Sequence, residues 1–356
     1  MGDIVTVIIT GGGAPGIAGT IFALRSNPEG TSFKIITTDI NDDVVGKYLA
    51  DRFYKVPPPE NEEYISVLRE VVRKEEVKVI IPQTTREITA LSENIDKFLD
   101  LGVAITVSSA NSIRTANDKF LLLEKAKEIG VPHPIYYLTN SKGSLVKAAN
   151  LLGYPEKKIV VKPRMSNGMR GLRILIEESW TVERFLVEKP DGLETNLQAL
   201  LDILQNGNWP ELLVTEYLPG SEYTADVFRG RYGTVAIPRL REKIRSGITF
   251  DAKVDLRVDV IEYSMKLAEA LNLIYCFGFQ FKLSKEGVPQ LLECNPRVQG
   301  TMVTSVFTGF NIIYYSVMEA LGKPAEVSNL NLKDGLKFKR YWGGISMYKD
   351  GFIGKI

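Results

Sequence analysis

The first hundred residues alternate two hydrophobic patterns that few folds can satisfy together. Residues 4–10, 33–38, 77–81 and 103–107 are short runs rich in apolar and β-branched residues, the pattern of buried parallel strands. Residues 16–25 and 86–99 carry helical spacing between them. Alternation of this kind predicts a doubly wound α/β domain around a parallel sheet. Pro57-Pro58-Pro59 reads as a loop inside that domain, because strand and helix patterns resume on both sides. Beyond Ser108 the pattern changes. A helix is predicted over 117–129, closed by Gly130 and Pro132, followed by strands at 159–162, 172–176, 212–216, 223–228 and 234–237. Helices are predicted at 145–152, 181–188 and 193–204. This is α+β character, and it predicts three units: 1–112, 113–210 and 211–356. Lys189-Pro190-Asp191-Gly192 and Asn206-Gly207-Asn208 punctuate the second boundary.

Composition narrows the chemistry. A chain of 356 residues, 44% hydrophobic and 24% charged, can build two or three cores. Lys and Arg number 44 against 43 Asp and Glu, so no bulk electrostatic attraction to nucleic acid is expected. No apolar run reaches the roughly 18 residues of a membrane span. Asp3 leads directly into a strand-like run, so no signal peptide is expected. Two cysteines, Cys276 and Cys294, suit a reducing cytoplasm. The single histidine, His133, excludes zinc-protease motifs and most histidine-rich metal sites. Catalysis would therefore rest on carboxylates, Lys, Arg and a cofactor.

Gly11-Gly12-Gly13-Ala14-Pro15-Gly16 satisfies G-x-G-x-x-G after a strand and before a helix, and Asp39 follows 23 residues past Gly16. An NAD-dependent oxidoreductase is one reading. Tyr154 and Lys158 have the spacing of a dehydrogenase pair, but Pro155 breaks it. The alternative is a tight turn with close helix–sheet packing, the helix end being free to receive a small anionic substrate.

The most informative stretch runs from Tyr275 to Arg297. Two strand-like segments, 275–283 and 288–294, flank Glu286-Gly287, which reads as a hairpin turn. Pairing across that turn sets Gln280 opposite Glu293, with Asn295 on the same face and Leu292 and Cys294 on the other. Three oxygen-bearing side chains on one face suit Mg²⁺ shared with phosphates. Pro296 ends the ladder, and Arg297 then projects beside the metal, able to hold a carboxylate or a developing phosphoryl charge. Upstream, Lys162 ends the apolar strand Ile159-Val160-Val161 and needs an anionic partner. The glycine-bracketed loop Ser166-Asn167-Gly168-Met169-Arg170-Gly171 could cover phosphates with backbone N–H groups. The strand 212–216 stops at Pro219-Gly220, leaving backbone near Glu216 and Leu218 expected to read an adenine edge. Glu222 is placed for ribose hydroxyls.

In this order the elements resemble an ATP-grasp enzyme, closest to the carbamoyl phosphate synthase large subunit and the pyrrolysine-pathway-type carboxylate–amine ligases. The motifs are Asn117-Asp118-Lys119, Val160-Val161-Lys162-Pro163, the run from Thr215 to Phe228, and Glu293-Cys294-Asn295-Pro296-Arg297. The flap lacks a dense glycine run, so its match is loose. The resemblance implies a Rossmann-like pre-ATP-grasp domain followed by a two-lobe ATP-grasp fold. It implies ATP phosphates on Lys119 and Lys162 under a flap containing Ser166, Gly168 and Gly171. Adenine would lie against Glu216, Tyr217 and Leu218, and ribose against Glu222. Gln280, Glu293 and Asn295 would hold Mg²⁺, with Mn²⁺ as a substitute. Arg297, Lys162 and Arg239 would act on the transferring phosphoryl group, and Asp226 would face an amine. The implied partners are small-molecule carboxylate and amine substrates, with neither nucleic acid nor membrane, in a protein for which a homodimer is an expected assembly. The implied reaction is carboxylate–amine ligation through an acyl phosphate, releasing ADP and phosphate. A non-catalytic ATP-binding protein is the other alternative.

Overall fold

A computed structural model describes residues 4–166, 168–177, 181–188, 192–341, 343–348 and 351–355. Asn167 of the flap and Lys189-Pro190-Asp191 of the predicted boundary lie outside the described residues. The first sheet is parallel, in the order β3 (Arg52–Lys55), β2 (Phe33–Asp39), β1 (Val5–Thr10), β4 (Val79–Ile81), β5 (Ala104–Ile105). Its central strand carries the apolar run Val7-Ile8-Ile9 because both of its faces are covered. Val7 and Ile9 enter one core while Ile8 enters another.

A second sheet orders β6 (Tyr136–Thr139), β10 (Leu212–Glu216), β7 (Ile159–Pro163), β8 (Arg173–Leu175) and β9 (Glu194–Thr195). The third, antiparallel, orders β15 (Pro289–Asn295), β14 (Tyr275–Leu283), β11 (Glu222–Gly230), β12 (Gly233–Arg245), β13 (Ile248–Val254) and β16 (Lys337–Lys339). A separate hairpin joins β17 (Ile345–Tyr348) to β18 (Gly351–Lys355). The expected division at residue 210 cuts ahead of β10, which pairs with β6 and β7, so the second sheet extends to Glu216.

Two expected helices are each interrupted. The helix expected over 86–99 is two, Thr85–Ser92 and Ile95–Leu99. The helix expected over 117–129 begins instead at Lys119 and follows directly on Ala110–Asn117. Asp118 is the reason: it ends one helix and its carboxylate accepts from Phe120 N at 3.0 Å and Leu121 N at 3.2 Å to start the next. The core on one side of the first sheet continues into the third sheet, joining Val7, Ile9 and Ile21 to Phe228, Ile237 and Ile312. A cleft of about 910 Å³ opens where the three sheets meet.

Candidate active site

The hairpin of β14 and β15 builds the floor of this cleft. Gln280 faces Glu293 and Gly278 faces Asn295, as the sequence pairing predicts. The route to that register differs. The turn has three residues, not two: Ser284 N donates to Val288 C=O at 2.9 Å, and Gly287 takes φ +80°. Such a turn alone would set Gln280 against Leu292. A β-bulge between Gln280 and Phe281 leaves Leu292 without a partner and restores the Gln280–Glu293 pair. Leu291 and Cys294 enter the core, whereas Leu292, expected to join Cys294 there, lines the cleft. The bulge also frees the Leu292 carbonyl, which accepts from Lys162 Nζ at 3.2 Å.

Lys162 thus reaches the hairpin from the second sheet. It is buried, and burial pushes its pKa down to about 8 against the raising pull of Glu293. Lys119 is buried too, donating to Ser166 C=O at 2.6 Å and Ser166 Oγ at 3.1 Å, with its pKa lowered by the same cause. Asp118 fixes this corner by gripping Arg164 at 2.8 Å, so that one carboxylate caps the helix and anchors the base of the flap. Arg297 Nη2 donates to Asn295 Oδ1 at 3.2 Å, and Asn295 Nδ2 donates to Glu293 Oε1 at 3.2 Å. Burial lowers the Arg297 pKa, and Glu293 opposes that.

Lys119, Lys162, Ser166, Gly168, Glu222, Gln280, Glu293, Asn295 and Arg297 all line the cleft. Gly171, Glu216, Tyr217, Leu218 and Arg239 are not among its lining residues. Gly171, at φ +75°, packs on the Pro163 ring. The backbone at Glu216 is not left open as expected: its N–H donates to Ile135 C=O at 3.1 Å, and its carboxylate accepts from Ile135 N at 2.8 Å. Leu218 is buried, and Tyr217 has the Lys282 ammonium 5.9 Å from its ring. Arg239 is fully buried and bonded to Asp226 at 2.6 and 2.9 Å through Nε and Nη2, with Nη1 left without an acceptor. Sequence reasoning passed over Arg241, two residues on along β12. Arg241 lines the cleft, pairs with Glu222, and donates to Gln280 Oε1 at 3.4 Å, Thr249 Oγ1 at 2.7 Å and Gly247 C=O at 2.7 Å. The period-2 rule held the signal, since Arg241 follows Arg239 by one strand repeat.

One carboxylate and two amide oxygens make a hard donor set that fits Mg²⁺ only when phosphate oxygens complete the shell. In keeping with this, no group of three or more His, Cys, Asp or Glu side chains suited to a metal occurs among the described residues. The Gly-rich loop shows close packing. Asp39 accepts from Gly13 N at 2.8 Å and Asn41 N at 2.9 Å, and a Cβ on Gly46 would lie 2.6 Å from Gly12 C=O. Asp39 therefore serves the loop's own backbone. No helix among the described residues is long and apolar enough to cross a membrane.

Comparison with known proteins places this geometry. Residues 7–106 match the family model "PylC-like, N-terminal domain", and residues 208–341 match "ATP-grasp in the biosynthetic pathway with Ter operon". A carbamoyl phosphate synthase large chain from Lachnoclostridium phytofermentans is 27% identical over 71% of this chain and 23% of its own length. The chain thus spans about a quarter of the length of the curated relatives it matches. N5-carboxyaminoimidazole synthetase from Staphylococcus aureus, complexed with ADP, shares the fold with a TM-score of 0.68. It is 18% identical, over 90% of this chain and 78% of that one. The biotin carboxylase domain of Hydrogenobacter thermophilus 2-oxoglutarate carboxylase, in complex with MgADP, ADP and bicarbonate, gives a TM-score of 0.70. It is 17% identical, over 93% of this chain and 73% of that one. Residues 7–106 thus match a PylC-like N-terminal domain and residues 208–341 an ATP-grasp domain, in that order along an architecture shared with these solved structures.

Proposed function

We propose that the protein joins a carboxylate to an amine, converting ATP to ADP and phosphate through an acyl phosphate. The observation that carries this reading is the meeting of Lys162 with the bulged hairpin, on whose cleft face Gln280, Glu293 and Asn295 lie together. Likeness to an ADP-bound synthetase supports a nucleotide in this cleft.

In this reading Lys119 and Lys162 bind the phosphates and the flap at Ser166, Gly168 and Gly171 covers them. Adenine lies toward Glu216, Tyr217 and Leu218, and ribose meets Glu222. Gln280, Glu293 and Asn295 would hold Mg²⁺ or Mn²⁺, which supplies charge neutralisation at the phosphates. Lys162 and Arg297 offset the negative charge that accumulates when a carboxylate oxygen bonds to the γ-phosphorus and the bond to ADP breaks. Arg297 then holds the acyl phosphate while the amine nitrogen bonds to the acyl carbon, phosphate leaves and the amine loses a proton. Exclusion of water by the flap protects the intermediate. Arg239, paired to Asp226 on the same face of the sheet as Gln280 and Glu293, supports the floor beside them and takes no part in this sequence. A homodimer is the proposed assembly, which light scattering checks.

An ADP-release screen of amino acids, singly and in pairs, with Mg²⁺ tests the reaction. Lys162→Met and Glu293→Ala are each expected to lower amine-dependent ADP release by about a hundredfold or more, with melting curves unchanged. Full turnover in either variant would remove the site from consideration.

A further inference from the structure

One wall of the cleft is a seam between the head of helix Ile17–Arg25 and the segment following β16. Gly16 leaves no room there: a Cβ would lie 3.0 Å from Gly300 Cα, 3.4 Å from Gln83 Oε1 and 3.6 Å from Gln299 C=O. Arg340 crosses the seam, donating Nη1 to Pro15 C=O at 3.3 Å and Nη2 to Gly300 C=O at 2.8 Å. Its Nε is buried without an acceptor. Gln83, only 3% exposed, lines the same cleft with its Nε2 unpartnered, and Arg297 Nε is a third buried donor in this state. Among the described residues Arg340 enters no ion pair, although its guanidinium lies near that of Arg239 and both are cationic.

Buried donors left unpaired cost about 1–3 kcal/mol each, and more when charged. A cluster of them in a cleft signals an absent acceptor. In the reading above the nucleotide phosphates are met by Lys119, on the helix packed against β15, by Lys162 of the second sheet and by Arg297, so the donors of Gln83 and Arg340 are left over. We propose that Arg340 and Gln83 bind a second anionic group of the substrate, a carboxylate or a phosphate monoester distinct from the carboxylate that is activated. A guanidinium with an amide beside it presents the planar donors such a group accepts, and the adjacent helix N-terminus adds a favourable field. The substrate class is then a small molecule with two anionic groups. This inference extends the ligase reading and rests on it for the identity of the activated group.

Calorimetric titration tests it with acetate, succinate and inorganic phosphate as probes, the nucleotide position being filled by a non-hydrolysable MgATP analogue. Succinate or phosphate is expected to bind about tenfold or more tighter than acetate, and whichever binds tighter identifies the group. Gln83→Met, which conserves volume and removes no bond across the seam, is expected to weaken that probe about tenfold or more, as is Arg340→Met. The MgATP analogue should bind both variants as it binds the wild type. Equal affinity for all three probes, or wild-type affinity of Gln83→Met for both succinate and phosphate, overturns the inference. Should Arg340→Met fail to fold, Gln83→Met alone decides. Failure of the MgATP analogue to bind the wild type would instead strike the ligase reading, and the three probes remain readable without nucleotide.

Discussion

Lys162 is uncharged in a growing fraction of molecules above pH 8, because burial outweighs the raising influence of Glu293 and Glu222 and Lys119 adds a repulsive charge. Its phosphate-binding form exists below that pH and is lost as pH rises through it. MgADP affinity is therefore expected to fall by about tenfold between pH 7 and pH 9, and Lys162→Arg, permanently charged, should flatten the profile in calorimetric titrations. Glu87 has the opposite sign. It closes a capping box with Thr84, whose hydroxyl donates to it at 2.7 Å, and burial pushes its pKa up to about 7. The native state then holds a proton that the unfolded chain releases from about pH 4.5 upward, so this group's contribution to stability declines as pH rises to 7. Glu87→Gln should remove that decline, gaining on the order of 1–3 kcal/mol at pH 8 relative to pH 5 in denaturant melts. Arg239 and Arg241 show what one-dimensional reading misses at this scale. Both lie on β12, one strand repeat apart, and only the depth of the sheet decides that Arg239 is spent on Asp226 while Arg241 meets Glu222.

At the level of elements, the β14–β15 hairpin is legible because period-2 alternation survives a compensating pair of irregularities. A three-residue turn shifts the pairing by one residue and the bulge at Leu292 shifts it back. Deleting Leu292 should therefore leave Gln280 opposite Glu293 and the fold intact. Because the carbonyl that anchors Lys162 disappears, MgADP affinity is expected to drop about tenfold or more in the same titration. Helix breaks were harder to see, since Asp118 looks like any polar residue of a continuous pattern until its carboxylate is placed on two backbone N–H groups. Strand β13 and helix Val258–Ala270 were not assigned from the sequence. Two register shifts in the β12–β13 ladder blur the strand alternation, and Ser264 interrupts the apolar stripe of Val260, Leu267 and Ala268 on the helix.

Across the whole molecule, the doubly wound first domain and the α+β remainder were readable from hydrophobic periodicity, but the assignment of β10 was not. Sequence proximity joins it to β11, whereas hydrogen bonding joins it to β6 and β7. Nor does periodicity reveal that the first and third sheets share a core. That sharing predicts a single calorimetric transition for the two sheets. Gly16→Val, whose side chain would collide with Gly300, should lower its midpoint and divide it into two steps. The second sheet closes a core drawn from residues 137–214 alone and touches the third sheet's core through Leu213 and Tyr136. That lobe is therefore packed as a body of its own, and Lys162 belongs to it while Lys119, on the helix seated against β15, belongs with Glu293, Arg297 and Arg340, so the two buried ammonium groups reach the cleft from separately packed halves.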